Sequence, residues 1–134
     1  MSQALITLLN HALRMEYSDV FLYPRHADHL QKQPAIAELF RNFSQMEVRH
    51  ADVLANAISR LGGQPNWDFH LLTGKKTFRE IVNWHLAGER AAIKLYRKCI
   101  GLVTDKRFKD ILELIRLEET IHEAALVRIS QWIK

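Results

Sequence analysis

The chain has 134 residues, 48% of them hydrophobic and 25% charged, a composition typical of one globular domain and not of a disordered protein. The formal net charge is +4, but the 19 Lys and Arg residues are spread along the chain, so we expect no nucleic-acid partner. The sequence has no apolar run of about 18 residues and no export signal, and its single cysteine, Cys99, excludes a Cys-based metal centre, so we expect a cytoplasmic protein with no membrane partner.

The first half of the chain predicts two long helices, because apolar residues recur about every 3.6 positions and Gly and Pro are few. The first helix runs from about Gln3 into the region of His26, with a kink at Pro24. The second begins at Pro34, a favoured first-turn residue, and ends at the glycine pair 62–63.

The second half predicts two more helices of the same kind. The third opens with a capping box, Thr77 with Glu80, and ends near Gly101. The fourth begins after a cap at Thr104 or Asp105 and runs almost to the C-terminus.

The connection between helices two and three, GGQPNWDFHLLTGKK at 62–76, is long enough to return along the second helix. The chain therefore predicts an all-α four-helix bundle with one long crossover between helices two and three, in a single domain over residues 1–134. Trp67, Phe69 and Leu71 are apolar for a loop, and we expect them to pack on the bundle or across a subunit interface. We expect a homodimer or a larger homo-oligomer.

Two copies of Glu-x-x-His interrupt the apolar faces of helices two and four. The first, EVRHADVL, carries Glu47 and His50, and the second, ETIHEAAL, carries Glu119 and His122, 72 residues further along. Residues three apart share a helix face, so each Glu and its His point to the same side.

Helices one and three carry one further interruption each. Glu16 stands 31 residues before the first pair and Glu89 stands 30 residues before the second, both on apolar faces. Buried carboxylates without compensation cost several kcal/mol each, so positive charge must lie among them. Two divalent metal ions would balance four carboxylates, and this oxygen and nitrogen donor set suits iron, with manganese or zinc as alternatives.

The stretch MEVRHADVLANAISRLGGQPN at 46–66 resembles the second helix and following turn of bacterioferritins, and nearly the whole chain resembles the bacterioferritin and rubrerythrin branch of the ferritin-like dimetal carboxylate superfamily. The resemblance implies the ferritin-like four-helix bundle and a centre of two iron ions that oxidises Fe(II) with oxygen or peroxide. It also implies bridging carboxylates at Glu47 and Glu119, terminal carboxylates at Glu16 and Glu89, and one iron each for His50 and His122.

The sequence departs from the families it resembles at three points. Rubrerythrin-type peroxidases have an extra carboxylate one turn after the helix-three Glu, where this chain has Ala92. Bacterioferritins have a haem-binding Met directly after the first bridging Glu, where this chain has Val48. Met46 lies on the other side of Glu47. We therefore expect no haem. The sequence ends at Lys134, soon after helix four, so we expect no fifth helix of the kind that closes ferritin shells.

Four further residues have two interpretations each. Tyr23, on the face of Glu16, is a redox-active or hydrogen-bonding neighbour of the metals, or a core tyrosine. His85, four residues before Glu89, hydrogen-bonds a metal ligand or is itself an extra ligand. Alternatively, it is a buried histidine bonded to a neighbouring backbone group or carboxylate. We expect His26 and His29 at the surface, with a role in admitting metal ions as the alternative.

The sequence thus favours a ferroxidase-like di-iron oxidoreductase that acts on Fe(II) with oxygen or peroxide. Two alternatives stay open. One is a di-iron monooxygenase of an organic substrate, and the other is a protein that sequesters iron, manganese or zinc without turnover.

Overall fold

The computed structural model describes residues 2–30, 32–70 and 76–132. Four helices lie in these residues: α1 (Ser2–Asp28), α2 (Pro34–Arg60), α3 (Phe78–Leu102) and α4 (Lys106–Trp132). The chain forms two compact units, Met1–Gly74 and Lys75–Lys134, and the prediction of one domain stays a prediction. Each unit is a helical hairpin, with α1 packed on α2 in the first and α3 packed on α4 in the second.

The end of α2 is fixed by the predicted glycine pair. Gly62 has a φ of +86°, which glycine adopts at little cost, and its N–H donates to the Ser59 carbonyl over 3.0 Å. The Gly63 N–H donates to the Ile58 carbonyl over 2.9 Å, completing the two hydrogen bonds of a Schellman motif. A Cβ atom on Gly63 would lie 2.8 Å from Cγ2 of Ile6, so the turn packs directly on α1.

The crossover begins as a segment bound along α1. The Asn10 side chain donates to the Gln64 carbonyl over 3.1 Å and accepts from the Asn66 N–H over 2.8 Å. Two turns further along α1, the Ser18 hydroxyl accepts from the His70 N–H over 2.7 Å. Residues 64–70 are therefore part of the first unit and not a free linker.

Aromatic rings strengthen this attachment. The Tyr17 ring lies edge-on to Trp67 and to Phe69, with ring centroids 5.1 and 5.8 Å apart, and Phe21 lies 5.0 Å from Phe69. Both crossover rings thus pack on α1, as one of the two alternatives predicts, and each keeps 45% of its surface exposed. Leu71 lies outside the described residues.

Both helices of the second unit start at the predicted caps. The Glu80 N–H donates to the Thr77 hydroxyl over 3.1 Å and the Thr77 N–H donates to the Glu80 carboxylate over 3.0 Å, as a capping box requires. At α4, the Asp105 carboxylate accepts from the Arg107 N–H over 3.1 Å. Among the described residues, no helix combines the length and apolar character needed to span a lipid bilayer.

Candidate metal centre

The first unit brings together three of the predicted ligands, Glu16, Glu47 and His50, which we call the first trio. His50 Nδ1 lies 3.3 Å from Glu16 Oε2 and 3.7 Å from Glu47 Oε1. Each trio residue offers one ligand atom, and these atoms all lie within 4.8 Å of one another. Each residue is at most 1% exposed, so the first trio lies inside the protein.

The apolar faces of the two helices bury the first trio. On α1, Glu16 follows Leu9 and Leu13, which are fully buried and lie at helical spacing from it. On α2, Glu47 and His50 stand between Phe43 and Leu54, which are also buried. The hydrophobic pattern that folds the hairpin therefore also carries the polar residues inward.

The second unit repeats this arrangement with Glu89, Glu119 and His122, which we call the second trio. His122 Nδ1 lies 3.6 Å from Glu89 Oε1 and 3.9 Å from Glu119 Oε2. The ligand atoms of the second trio also lie within 4.8 Å of one another, and each residue is at most 1% exposed. Both hairpins thus present one imidazole nitrogen to two carboxylates, one from each helix.

The chemistry of the trios fits a divalent metal ion. Among the described residues no Lys or Arg side chain is buried, so the only buried basic groups are imidazoles. Two carboxylates and one imidazole per trio leave an excess of negative charge inside the protein, which metal ions would balance. Three of the four His–Glu distances, 3.6 to 3.9 Å, exceed a normal hydrogen bond, and ligand atoms on one metal stand about 3 Å apart or more.

The two predicted neighbours of the ligands are both buried. Tyr23 is fully buried, and its ring packs edge-on against Phe40 and Phe43, with centroids 5.1 and 5.5 Å apart. His85 is 1% exposed, one turn before Glu89 on α3, and its ring packs edge-on against Trp84. Their roles toward a metal stay predictions.

The prediction that His26 lies at the surface is wrong. Helix α1 continues through Pro24 to its end, and His26 is 5% exposed, beside the buried Ala27, whereas His29 is exposed. Burial, together with the nearby charges of His29 and Arg25, lowers the pKa of His26 to about 4. The sequence signal for this burial is the apolar face that continues beyond the proline.

The comparisons with known proteins identify the family. The sequence model of the Rubrerythrin family matches residues 7–130. The chain belongs to the rubrerythrin family. No curated protein is significantly similar to the chain in sequence.

Solved structures of ferritin-like proteins share the fold of this family member. A ferritin-like, diiron-carboxylate protein of Bacillus anthracis str. Ames is 27% identical, with a TM-score of 0.90 over 97% of this chain and 99% of that one. The bacterioferritin of Rhodobacter capsulatus, which has a dinuclear site, metal-free in that structure, and a haem iron, is 32% identical, with a TM-score of 0.81 over 96% and 84% of the two chains.

A third structure supports the fold alone. The bacterioferritin of Desulfovibrio desulfuricans, which has a diiron site, is 24% identical, with a TM-score of 0.87 over 97% of this chain and 80% of that one. Together these likenesses confirm the predicted all-α, ferritin-like four-helix bundle. The rubrerythrin family member thus combines a diiron-carboxylate fold with a candidate metal site of Glu and His residues.

Proposed function

We propose that the two trios form one dinuclear centre, which binds two Fe(II) ions as substrate and catalyses their oxidation by oxygen or peroxide. The observation that carries the proposal is the repetition of the buried Glu, Glu and His set in both hairpins, with matching His–Glu distances. The relationship to diiron-carboxylate proteins supports iron as the metal, and the oxygen and nitrogen donors suit it.

The ligand roles follow from the ferritin-like layout. Glu16 and Glu89 would each bind one iron as terminal carboxylates. Glu47 and Glu119 would bridge the two ions, and His50 and His122 would each bind one ion through Nδ1, the nitrogen that faces the carboxylates.

The chain's own contribution to catalysis is electrostatic. Four carboxylates balance the charge of two Fe(II) ions, and their negative charge favours the more highly charged Fe(III) over Fe(II). Burial in an apolar interior strengthens this preference, because water screens the charges less. The trios therefore lower the free energy needed to remove one electron from each ion.

The reaction balances without a further electron donor. Two Fe(II) ions give two electrons, which with two protons reduce one oxygen molecule to one hydrogen peroxide. With peroxide as oxidant, the same two electrons and two protons give two water molecules. Bulk solvent supplies the protons, and no organic substrate is required.

Anaerobic titration of the metal-free protein with Fe(II), followed by exposure to oxygen, tests the proposal. We expect two Fe(II) ions to bind per chain and to be oxidised with the uptake of one oxygen molecule per two ions. The Glu119→Gln variant should lose rapid oxidation, whereas Glu118→Gln, at the neighbouring position outside the trios, should keep it. Metal binding without oxidant consumption would favour a sequestering protein instead.

The monooxygenase alternative differs in its electron balance. A monooxygenase inserts one oxygen atom into an organic substrate and needs two further electrons from a reductant. Oxygen uptake that stays slow with Fe(II) alone, but accelerates when a quinone substrate and a reductant are added, would replace the ferroxidase proposal.

In either case Tyr23→Phe tests whether the tyrosine hydroxyl donates an electron, because only a redox role would change a radical signal measured by electron paramagnetic resonance.

A further inference from the structure

Helix α4 has a second apolar face that the metal centre does not use. Leu114, Leu117 and Ile121 are 58%, 53% and 57% exposed, and Ala124 is exposed beside them. They lie on the side of α4 opposite the buried residues that surround the second trio. Their spacing of three, four and three residues is that of a coiled-coil seam.

Polar residues continue the same spacing beyond both ends of this seam. Arg107 and Asp110 precede it, and Arg128 and Gln131 follow it, all exposed. We call the eight positions together the outer stripe. An apolar centre with charged ends is the pattern that lets one helix pair with another in a single register.

We propose that the outer stripe binds the outer stripe of a second copy of this chain, antiparallel, and that this pairing forms a homodimer. In antiparallel helix pairs each a position faces a d position of the partner helix. About a two-fold axis at position 119, the residues facing each other are Leu114 and Ala124, Leu117 and Ile121, Asp110 and Arg128, and Arg107 and Gln131.

Charge complementarity selects this register and this direction. Shifting the partner by one heptad toward either end would bring Asp110 against Ile121 or Leu117 against Arg128, so that a charge would face an apolar side chain. A parallel pair would bring each Asp110 against its own copy and each Arg128 against its own copy. Only the antiparallel register sets apolar residues against apolar residues and opposite charges against each other at both ends.

The surface is free to make this contact. Asp110 forms an ion pair with Lys106 over 3.0 Å, but both side chains are mostly exposed, and such pairs exchange at little cost. Glu118 borders the axis and would approach its own copy, which opposes the pairing slightly. With four apolar residues per helix, the interface is smaller than that of a permanent dimer, so we expect a dissociation constant on the order of 10 μM.

Sedimentation equilibrium of the full chain, from about 1 to about 200 μM, tests the pairing. We expect a monomer–dimer equilibrium, and Leu117→Glu should raise the dissociation constant at least about tenfold because it buries a charge at the seam. Leu102→Glu is the matched control, since Leu102 is 48% exposed on α3 and lies outside the outer stripe. Circular dichroism confirms that both variants keep their helices.

A charge exchange tests the register itself. Asp110→Arg and Arg128→Asp should each weaken the dimer, because each sets like charges against each other at both ends. The double variant Asp110→Arg/Arg128→Asp should restore wild-type dissociation, which a general effect on folding would not do. A monomer at every concentration, a dimer unaffected by Leu117→Glu, or no rescue in the double variant would overturn the proposal. A dimer lost instead in Trp67→Ser would assign the interface to the crossover.

Discussion

His122 Nδ1 on α4 lies 3.6 Å from Glu89 Oε1 on α3, closer than to Glu119 on its own helix at 3.9 Å. The first unit repeats this relationship, with His50 Nδ1 nearer to Glu16 on the other helix. Each Glu-x-x-His sequence is therefore only part of a trio, and its imidazole joins the two helices of a hairpin.

Because each imidazole serves one trio, its removal should affect one metal ion. We expect His50→Gln and His122→Gln each to lower the Fe(II) bound per chain from two ions to about one, and the double variant to bind neither tightly. Anaerobic equilibrium titration measures the stoichiometry, and the exposed His29→Gln is the control. Loss of both ions in each single variant would instead indicate that the two metals bind only together.

The effect of a ligand carboxylate on stability should reverse sign with metal. In the metal-free protein, Glu89→Gln should raise the free energy of unfolding by about 1 to 3 kcal/mol at pH 8, because an amide is cheaper to bury than a charge. With metal at about 1,000 times its dissociation constant the variant should be the less stable one, because the wild type gains about 4.1 kcal/mol from metal binding that the variant loses.

Urea denaturation with and without metal measures the change in the free energy of unfolding that Glu89→Gln causes in each state. Glu38→Gln, at an exposed position of α2, should change neither value appreciably. A destabilised Glu89→Gln in both states would mean that the carboxylate stabilises the fold by itself, contrary to the fit with a metal.

Acid should destabilise the protein partly through His26. The pKa of His26 is lowered from 6.5 to about 4 in the folded chain, so between these values the unfolded chain binds a proton that the folded chain does not. Stability that is present above pH 6.5 is therefore lost as the pH falls toward 4, by up to about 3 kcal/mol. His26→Gln should flatten this dependence in metal-free protein, and His11→Gln, at an exposed position of α1, should not. Equal slopes of unfolding free energy against pH in the wild type and His26→Gln would contradict the assignment.

Replacing glycine by alanine should have opposite effects on stability in the turn after α2 and at the end of α3. Gly63→Ala should lower the free energy of unfolding by about 1 to 3 kcal/mol, because the new Cβ would meet Ile6 at 2.8 Å and Ile58 at 3.1 Å. Gly101→Ala, in the last turn of α3, meets nothing within 4 Å and should raise stability by about 0.5 to 1 kcal/mol. Thermal melting of both variants measures the difference, and a neutral Gly63→Ala would show that the turn moves away from α1 easily.

The helix boundaries could be predicted because local chemistry determines them. Thr77 and Glu80 form a capping box within four residues, and Gly62 supplies the positive φ that ends α2. The burial of the Glu and His residues of both trios can also be predicted from the sequence, because helical spacing alone places them on the buried face.

Other features depend on contacts that no local pattern contains. His26 is buried because α1 continues through Pro24, where the sequence predicts a kink. The preference of each imidazole for the carboxylate of the other helix depends on how the two helices of a hairpin pack. The outer stripe of α4 overlaps in sequence with the buried stripe, so a search for one apolar face per helix finds only the inner one.

The attachment of residues 64–70 to α1 constrains how this protein can be altered. The two anchors on α1, Asn10 and Ser18, are eight residues apart, or about 12 Å along the helix axis. Their partners on the crossover, Asn66 and His70, are only four residues apart, and an extended chain of that length spans about 13 Å. A segment shortened by one residue would span only about 10 Å when extended, which is less than the spacing of the anchors. Removing even one residue between them would break an anchor, so natural or engineered changes of loop length are expected outside this stretch.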